Sequence, residues 1–245
     1  MEKFEIGDDM TQKDNVIEAM ERNGGYATFQ QLNNLVDVSN WKTKTPAASI
    51  RKIVQVNDEF FRIKPGLWAL TRYKGDVLKK LDIEPNNRRS DEAFTHAYYQ
   101  GIVVELGNKK RYKTYVPAQD KNKKFLETKL GDIASLDKIP EFTYDNLIRK
   151  AKTVDVIWFN ERQMPYGFYE IEHTTDIKNS LSKFYELQDF RANFSIIADA
   201  SREEQFFDII SASMYNPIRK YVTFMSYDNL IKQYAKEQIV LDDEL

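Results

Sequence analysis

Apolar positions at helical spacing open the chain. Val16, Ile17, Ala19 and Met20 predict one buried helical stripe, stopped by Asn23-Gly24-Gly25, a C-terminal glycine signal. Tyr26-Ala27-Thr28 reads as a very short strand and residues 29–36 as a second helix, with Phe29, Leu32, Leu35 and Val36 inward. Thr45 ahead of Pro46 predicts an N-cap with proline at the first helical position. The helix that follows holds Ala47, Ile50, Ile53 and Val54 on one side and leaves Ser49, Arg51, Lys52 and Gln55 for solvent or a ligand. Residues 60–63, the turn Lys64-Pro65-Gly66 and residues 67–70 predict strand, tight turn, strand. The polar stretch 81–90, with Pro85, Asn86 and Asn87, reads as a linker. Beyond it Ser90 is the expected cap of a helix ending at Gly107, followed by strands at 112–116, 154–159 and 168–173. A helix at about 177–191, a strand at 194–198, a helix capped by Ser201 and Glu204, a strand at 221–225 and a helix from Tyr227 complete the pattern.

The expected organisation is therefore a winged helix-turn-helix over residues 1–80, a linker over 81–90 and, over 91–245, an α/β domain with helices packed on a mixed sheet in the order αβββαβαβα. Composition narrows the chemistry. The 245 residues are 42% hydrophobic, enough for a packed core. No stretch reaches the ~18 apolar residues of a membrane span, and the first ten residues lack the basic-then-apolar pattern of a signal peptide, so a cytoplasmic protein without a membrane is expected. The absence of cysteine excludes disulfides, thiolate zinc sites and a cysteine nucleophile. His96 and His173, the two histidines, leave little room for a serine triad or a histidine cage, so hydrolytic chemistry must rest on carboxylates.

Three acids stand on strands that otherwise read as buried: Asp155, Glu170 and Glu172. Burying a carboxylate is costly unless it is paired or metal-bound. Glu170 and Glu172 share a strand face, and a simple hairpin centred near Gln163 or Met164 puts Asp155 opposite Glu172. Oxygen clusters of this kind bind Mg²⁺ or Mn²⁺. Such an ion would polarise a phosphodiester and activate water.

The run 154–159 followed by 168–175 resembles the active-site hairpin of the PD-(D/E)xK nuclease superfamily, which includes many restriction endonucleases; the resemblance covers roughly residues 91–226. It implies Asp155 as the acidic residue at the start of the second strand and Glu170-Ile171-Glu172 in place of (D/E)xK, with Glu172 where a lysine is usual. Asp155, Glu170 and the carbonyl of Ile171 become the implied metal ligands and Glu172 a ligand or general base. Members often add a first-helix glutamate, for which Glu92 and Glu105 are candidates. His96 and Gln100, one turn apart on that helix, would line the same cleft. Thr174 and Thr175 are expected to cap the next helix or position the phosphate, and His173 to point away from the glutamates.

The first region, residues 15–72, resembles the HARE-HTH type of winged helix through Gly24-Gly25, the Thr45-Pro46 helix start and Gly66-Leu67-Trp68-Ala69-Leu70, which implies DNA binding. Residues 13–72 carry nine Lys or Arg against six Asp or Glu, a net of +3. Lys42, Lys44, Ser49, Arg51, Lys52, Gln55 and Lys64 are the candidate DNA contacts. Residues 105–129 carry eight Lys or Arg against three acids, a net of +5, and would hold a nucleic-acid backbone; Lys178, Lys183 and Arg191 are further phosphate candidates. The first reading is a Mg²⁺- or Mn²⁺-dependent endonuclease of restriction type acting on double-stranded DNA. It would act as a homodimer for double-strand cuts, and a cognate methyltransferase would be its natural companion. The alternative is a non-catalytic winged-helix regulator whose degenerate nuclease domain serves dimerisation or sensing; a third reading directs the same chemistry at RNA.

Overall fold

The computed structural model describes residues 10–173 and 176–242, with side chains to 237, and divides the chain into two compact units at Lys80/Leu81. Thr174, Thr175 and the ends of the chain, including most of the acidic tail, lie outside the described residues.

In the first unit, α1 (Gln12–Arg22) starts in a capping box. The Thr11 hydroxyl accepts from the Asp14 amide at 3.2 Å and the Asp14 carboxylate accepts from the Thr11 amide at 3.1 Å. It ends where Gly24 and Gly25 take φ +82° and +89° and the Gly25 amide returns to the Met20 carbonyl at 2.9 Å. β1 (Tyr26–Thr28), α2 (Phe29–Leu35), α3 (Pro46–Val56), β2 (Phe60–Lys64), β3 (Leu67–Leu70) and a short α4 (Lys74–Lys80) follow. The strands pair antiparallel in the order β1-β3-β2. Val16, Met20, Leu32, Ile50, Val54 and Leu67 form the core. Leu35 and Ala47, both expected inward, are exposed; each sits in a terminal turn, Leu35 as the last residue of α2 and Ala47 as the second of α3. The expected Thr45 cap is in place, but its side chain makes no capping hydrogen bond.

The second unit begins directly at Leu81. Leu81 and Ile83 are buried, and the Ser90 hydroxyl donates to the Asp82 carbonyl at 2.7 Å, so residues 81–90 pack rather than run free as a linker. Asn87, not Ser90, caps α5 (Arg88–Lys109), accepting from the amides of Arg89 and Ser90. Then come β4 (Lys113–Tyr115), the two-residue strands β5 (Lys124–Phe125) and β6 (Thr128–Lys129), α6 (Leu130–Ile133) and α7 (Asp145–Ala151). The chain continues with β7 (Val156–Phe159), β8 (Pro165–Glu172), α8 (Ile177–Glu186), β9 (Asn193–Ala198), α9 (Glu203–Ile210), β10 (Val222–Ser226) and α10 (Tyr227–Asp242). α8 stops five residues short of the expected end. The Ser201–Glu204 capping box is absent; Asp199 instead accepts from the Ser201 amide at 3.0 Å in a 3₁₀ turn ahead of α9.

The five-stranded sheet runs β10-β9-β8-β7-β4, parallel from β10 to β8 and antiparallel from β8 to β4. Helical crossovers through α8 and α9 make the parallel pairs, as connection length requires. Phe159, Phe168, Phe194 and Ile196 pack against Leu181, Phe184 and Phe206 on one face. α5 lies on the other side, buried at every position from Ala97 to Val104. Its enclosure is tight at Gly101, where an added Cβ would sit 2.2 Å from the Phe125 ring. Gly101→Ala should therefore cost about 1–3 kcal/mol by overpacking despite alanine's better helix propensity, read as a lower urea midpoint. An unchanged or higher midpoint would show that Phe125 yields freely.

Candidate active site

The β7–β8 hairpin brings the acids together at one end of the sheet. Its turn is organised by Asn160, whose side-chain oxygen accepts from the amides of Arg162 (3.0 Å) and Met164 (3.1 Å), with Gln163 at φ +60°. The observed pairs are Val156 with Tyr169, Ile157 with Phe168 and Trp158 with Gly167. That register, continued by one residue, sets Asp155 opposite Glu170 and not opposite Glu172 as expected. The tip is tighter and lies earlier than a hairpin centred on Gln163 would place it.

Asp155 immediately precedes β7. Its Oδ2 accepts from the Ile171 amide at 2.8 Å, its backbone carbonyl accepts from Gln100 Nε2 at 2.8 Å, and its Oδ1 lies 3.7 Å from His96 Nε2. Burial holds the Asp155 carboxyl above its ordinary range, opposed chiefly by His96 and by the Ile171 N–H. Gln100 Nε2 also donates to Asp120 Oδ2 at 3.0 Å, which draws a fourth acid into the cluster; Lys123 holds the other oxygen of Asp120 at 2.5 Å.

Glu170 and Glu172 are 2% and 6% exposed and share a face, as expected. One hydroxyl, that of Ser180 on α8, lies 3.0 Å from Glu170 Oε2 and also bonds Glu172 Oε1. It has one proton to donate, so a proton held by one of the acids completes both bonds. Lys183, one turn further along α8, reaches both oxygens of Glu170 at 2.9 Å and the Thr153 carbonyl at 2.8 Å. Burial, and then the Asp155 charge, nonetheless push Glu170 up to about 8. The Glu172 carbonyl accepts from Arg202 (3.2 Å) and the Tyr227 hydroxyl (3.4 Å). His173 faces the Tyr227 ring, 6.5 Å away.

Of the first-helix candidates, His96 and Gln100 reach this cluster. Glu92 pairs with Arg88 at 2.5 Å, and Glu105 accepts from the Tyr234 hydroxyl on α10, away from the acids. α5 is buried on all sides from Ala97 to Val104, so periodicity could not single out its cleft-facing stripe. Two side chains of this cluster escaped the sequence reading: Asp120, counted only as a counter-charge in a basic run, and Lys183, taken only as a phosphate contact. The run 105–129 is largely committed internally. Lys110 pairs with Glu237, Lys121 with Asp137, Lys123 with Asp120 and Lys124 with Asp82, while Lys109 lies over the Tyr234 ring.

His96, Asp120 and Asp155 offer ligand atoms within 4.8 Å of one another. His96 Nε2 is buried with no hydrogen-bond partner, and 3.7 Å to Asp155 is too long for one. Buried carboxylates beside an unsatisfied imidazole nitrogen fit a divalent cation; the oxygens suit Mg²⁺ or Mn²⁺, and a nitrogen ligand favours Mn²⁺ over the oxygen-seeking Mg²⁺.

In the first unit, Lys42, Lys44, Arg51, Lys52 and Gln55 are exposed, and Ser49 and Lys64 half-buried. The Arg51 guanidinium lies 5.1 Å over the Phe29 ring, which holds it to the outer side of α3.

Comparison with known proteins adds a family. The profile described as the type II restriction enzyme NmeDI C-terminal domain matches residues 78–241, essentially the second unit. The type II restriction enzyme NmeDI of Neisseria meningitidis serogroup C is 21% identical over 99 residues, a stretch covering 38% of this chain and 28% of that protein. No solved structure matches.

Proposed function

Because the chain belongs to the family of the type II restriction enzyme NmeDI C-terminal domain, we propose that it is a divalent-metal-dependent DNA endonuclease of restriction type. Residues 91–245 would form a PD-(D/E)xK-like core that hydrolyses phosphodiesters. Residues 1–80 would act as a winged helix, contacting DNA through Lys42, Lys44, Ser49, Arg51, Lys52, Gln55 and Lys64. The observation that carries the reading is the gathering of Asp155, Glu170 and Glu172, all largely buried, at one end of a single hairpin with Lys183 against Glu170. A fold keeps such a cluster at a cost unless the cluster has work to do.

Asp155, Glu170 and the Ile171 carbonyl would hold the ion. The N–H of Ile171 already reaches Asp155, and N–H and carbonyl of one strand residue face the same neighbouring strand. When bound, a divalent ion supplies Lewis-acid stabilisation of the leaving oxyanion and lowers the pKa of water. Glu172, held by Ser180, takes the proton of the attacking water as general base. Lys183 supplies the ammonium that the Glu170-Ile171-Glu172 sequence lacks, arriving from α8 rather than from the strand. Its charge steadies Glu170 and offsets the phosphate's developing negative charge. Double-strand cutting needs two such sites and hence a homodimer. A methyltransferase of matching specificity would protect the producing cell's own DNA.

The test is a supercoiled-plasmid assay with unmethylated DNA from several sources, with Mg²⁺, Mn²⁺ or EDTA, alongside calorimetric titration of each ion. Metal-dependent nicking or linearisation is the expected outcome. Stoichiometric metal binding without cleavage of any substrate would favour a sensing role, and no metal binding at all would favour the non-catalytic regulator.

A further inference from the structure

We propose that the second unit also binds a nucleotide, on the sheet face opposite Glu170 and Glu172, with the base against Tyr112, Trp158 and Tyr166 and the phosphate at Arg191. The choice of a nucleotide rests on the endonuclease reading; the existence of the site does not.

The two faces of the sheet differ by strand alternation. Glu170 shares its face with Phe168, and the intervening Tyr169 turns to the other, together with Trp158, Ser195 and Thr223. There the sheet does not close against α5 and α10. A cavity of about 570 Å³ remains, within the range of small-ligand sites. One wall is aromatic and nearly parallel: Tyr112 and Tyr166 have centroids 4.1 Å apart at 21°, Tyr112 and Trp158 5.5 Å apart at 17°. Tyr166 is 38% exposed, an unusual cost for a ring already stacked, and it stands at the cavity's edge. Planar rings of this kind stack nucleobases without regard to sequence. The Tyr112 hydroxyl is pushed up to about 12 by burial and by its contact with Tyr166, so it stays protonated and able to donate at neutral pH.

The rest of the lining includes polar groups. Ser195 and Thr223, on the same sheet face as Trp158, bond each other at 2.9 Å through their hydroxyls, and Asn193 and Gln233 line the same space, so polar groups border the rings. This arrangement suits a flat heteroaromatic ring with polar edges better than a purely hydrocarbon guest. A second cavity of about 440 Å³ continues the first, sharing Tyr166 and Asn193 with it, and is lined by Arg191 and Asp189. Arg191 is exposed and provides a phosphate anchor, with the acidic Asp189 lining the same cavity. The nucleotide would come either free from solution or as one residue of a bound DNA strand.

Calorimetry and tryptophan fluorescence on the full chain in EDTA separate these sources and involve no cleavage, so failure of the endonuclease reading leaves the readout intact. The ligands are the four deoxynucleoside 5′-monophosphates, the matching nucleosides and a twelve-residue oligo-dT. Binding of the monophosphates is expected with a Kd on the order of 0.1 mM or tighter, weakened about tenfold or more in Tyr166→Ala. Arg191→Ala should weaken the monophosphates and leave the nucleosides unchanged. Both side chains are at the surface, and circular dichroism checks that each variant folds. Monophosphate binding identifies a free nucleotide, and oligonucleotide binding alone, with the same Tyr166 dependence, a strand of DNA; either supports the site. No binding of either, or binding indifferent to both substitutions, overturns it.

Discussion

Asp155→Asn should abolish plasmid cleavage, by a factor on the order of 10³ or more, while leaving the fold intact. Asparagine keeps an oxygen that can accept the Ile171 N–H, the 2.8 Å bond that fixes this side chain, so the hairpin loses no essential geometry. It loses the negative charge that a divalent ion needs and whose burial raises the carboxyl's pKa. The metal-free variant should therefore be at least as stable as the wild type, since a penalised buried charge has gone. Mn²⁺ titration should show a weakened or absent site in the same sample. Cleavage within tenfold of the wild type would remove Asp155 from the chemistry and with it the proposed ligand set.

Lys183→Met should reveal what the ammonium contributes through a stability loss that depends on pH. Glu170 already sits near 8 against an ordinary value of 4.5, because burial and Asp155 outweigh Lys183. A carboxyl raised in the folded state keeps its proton while the unfolded chain gives it up, so its contribution falls as pH rises from about 4.5 to the folded value and is flat beyond. Removing Lys183 raises that value further. The variant should thus lose about 1 kcal/mol at pH 6, from the missing hydrogen bonds, and a further ~1.4 kcal/mol per unit above pH 8. Urea unfolding at pH 6, 8 and 9 checks this. Adding Glu170→Gln should remove the pH-dependent part and leave the constant part. A gap of equal size at all three values would mean that Lys183 does not act through Glu170. Cleavage at pH 8 should fall by about two orders of magnitude, as for loss of a positioned charged group.

The sequence was informative where a physical rule acts locally. Period-two alternation in residues 168–172 put both glutamates on one face, and the Gly24-Gly25 stop of α1 follows from the left-handed geometry that only glycine adopts cheaply. It was uninformative where a distant side chain decides. The hairpin register depends on how Asn160 folds back on Met164, which no hydrophobic pattern encodes. Asp120 enters the cluster because Gln100 spans from α5 to both Asp120 and Asp155, linking segments 20 and 55 residues away. Lys183 carried a weaker signal: it lies three residues after the buried Ser180, at the edge of the buried stripe of α8, where a lysine can reach a strand acid beside Ser180. Short helices such as α4, which buries little beyond Val77, carry too little apolar content to announce themselves.

α5 is walled in from Ala97 to Val104, and that enclosure links what its two ends do. Near its start His96 and Gln100 serve the carboxylates; near its end Val103 and Leu106 line the aromatic cavity. The stretch from Ala97 to Val104 has no solvent-facing side and so no local route to opening, and its amide hydrogens should exchange with water only when the whole domain unfolds. The two proposed sites would therefore belong to a single cooperative unit: a ligand held at either should slow exchange along this buried stretch and shield the other from proteolysis, with no change of shape.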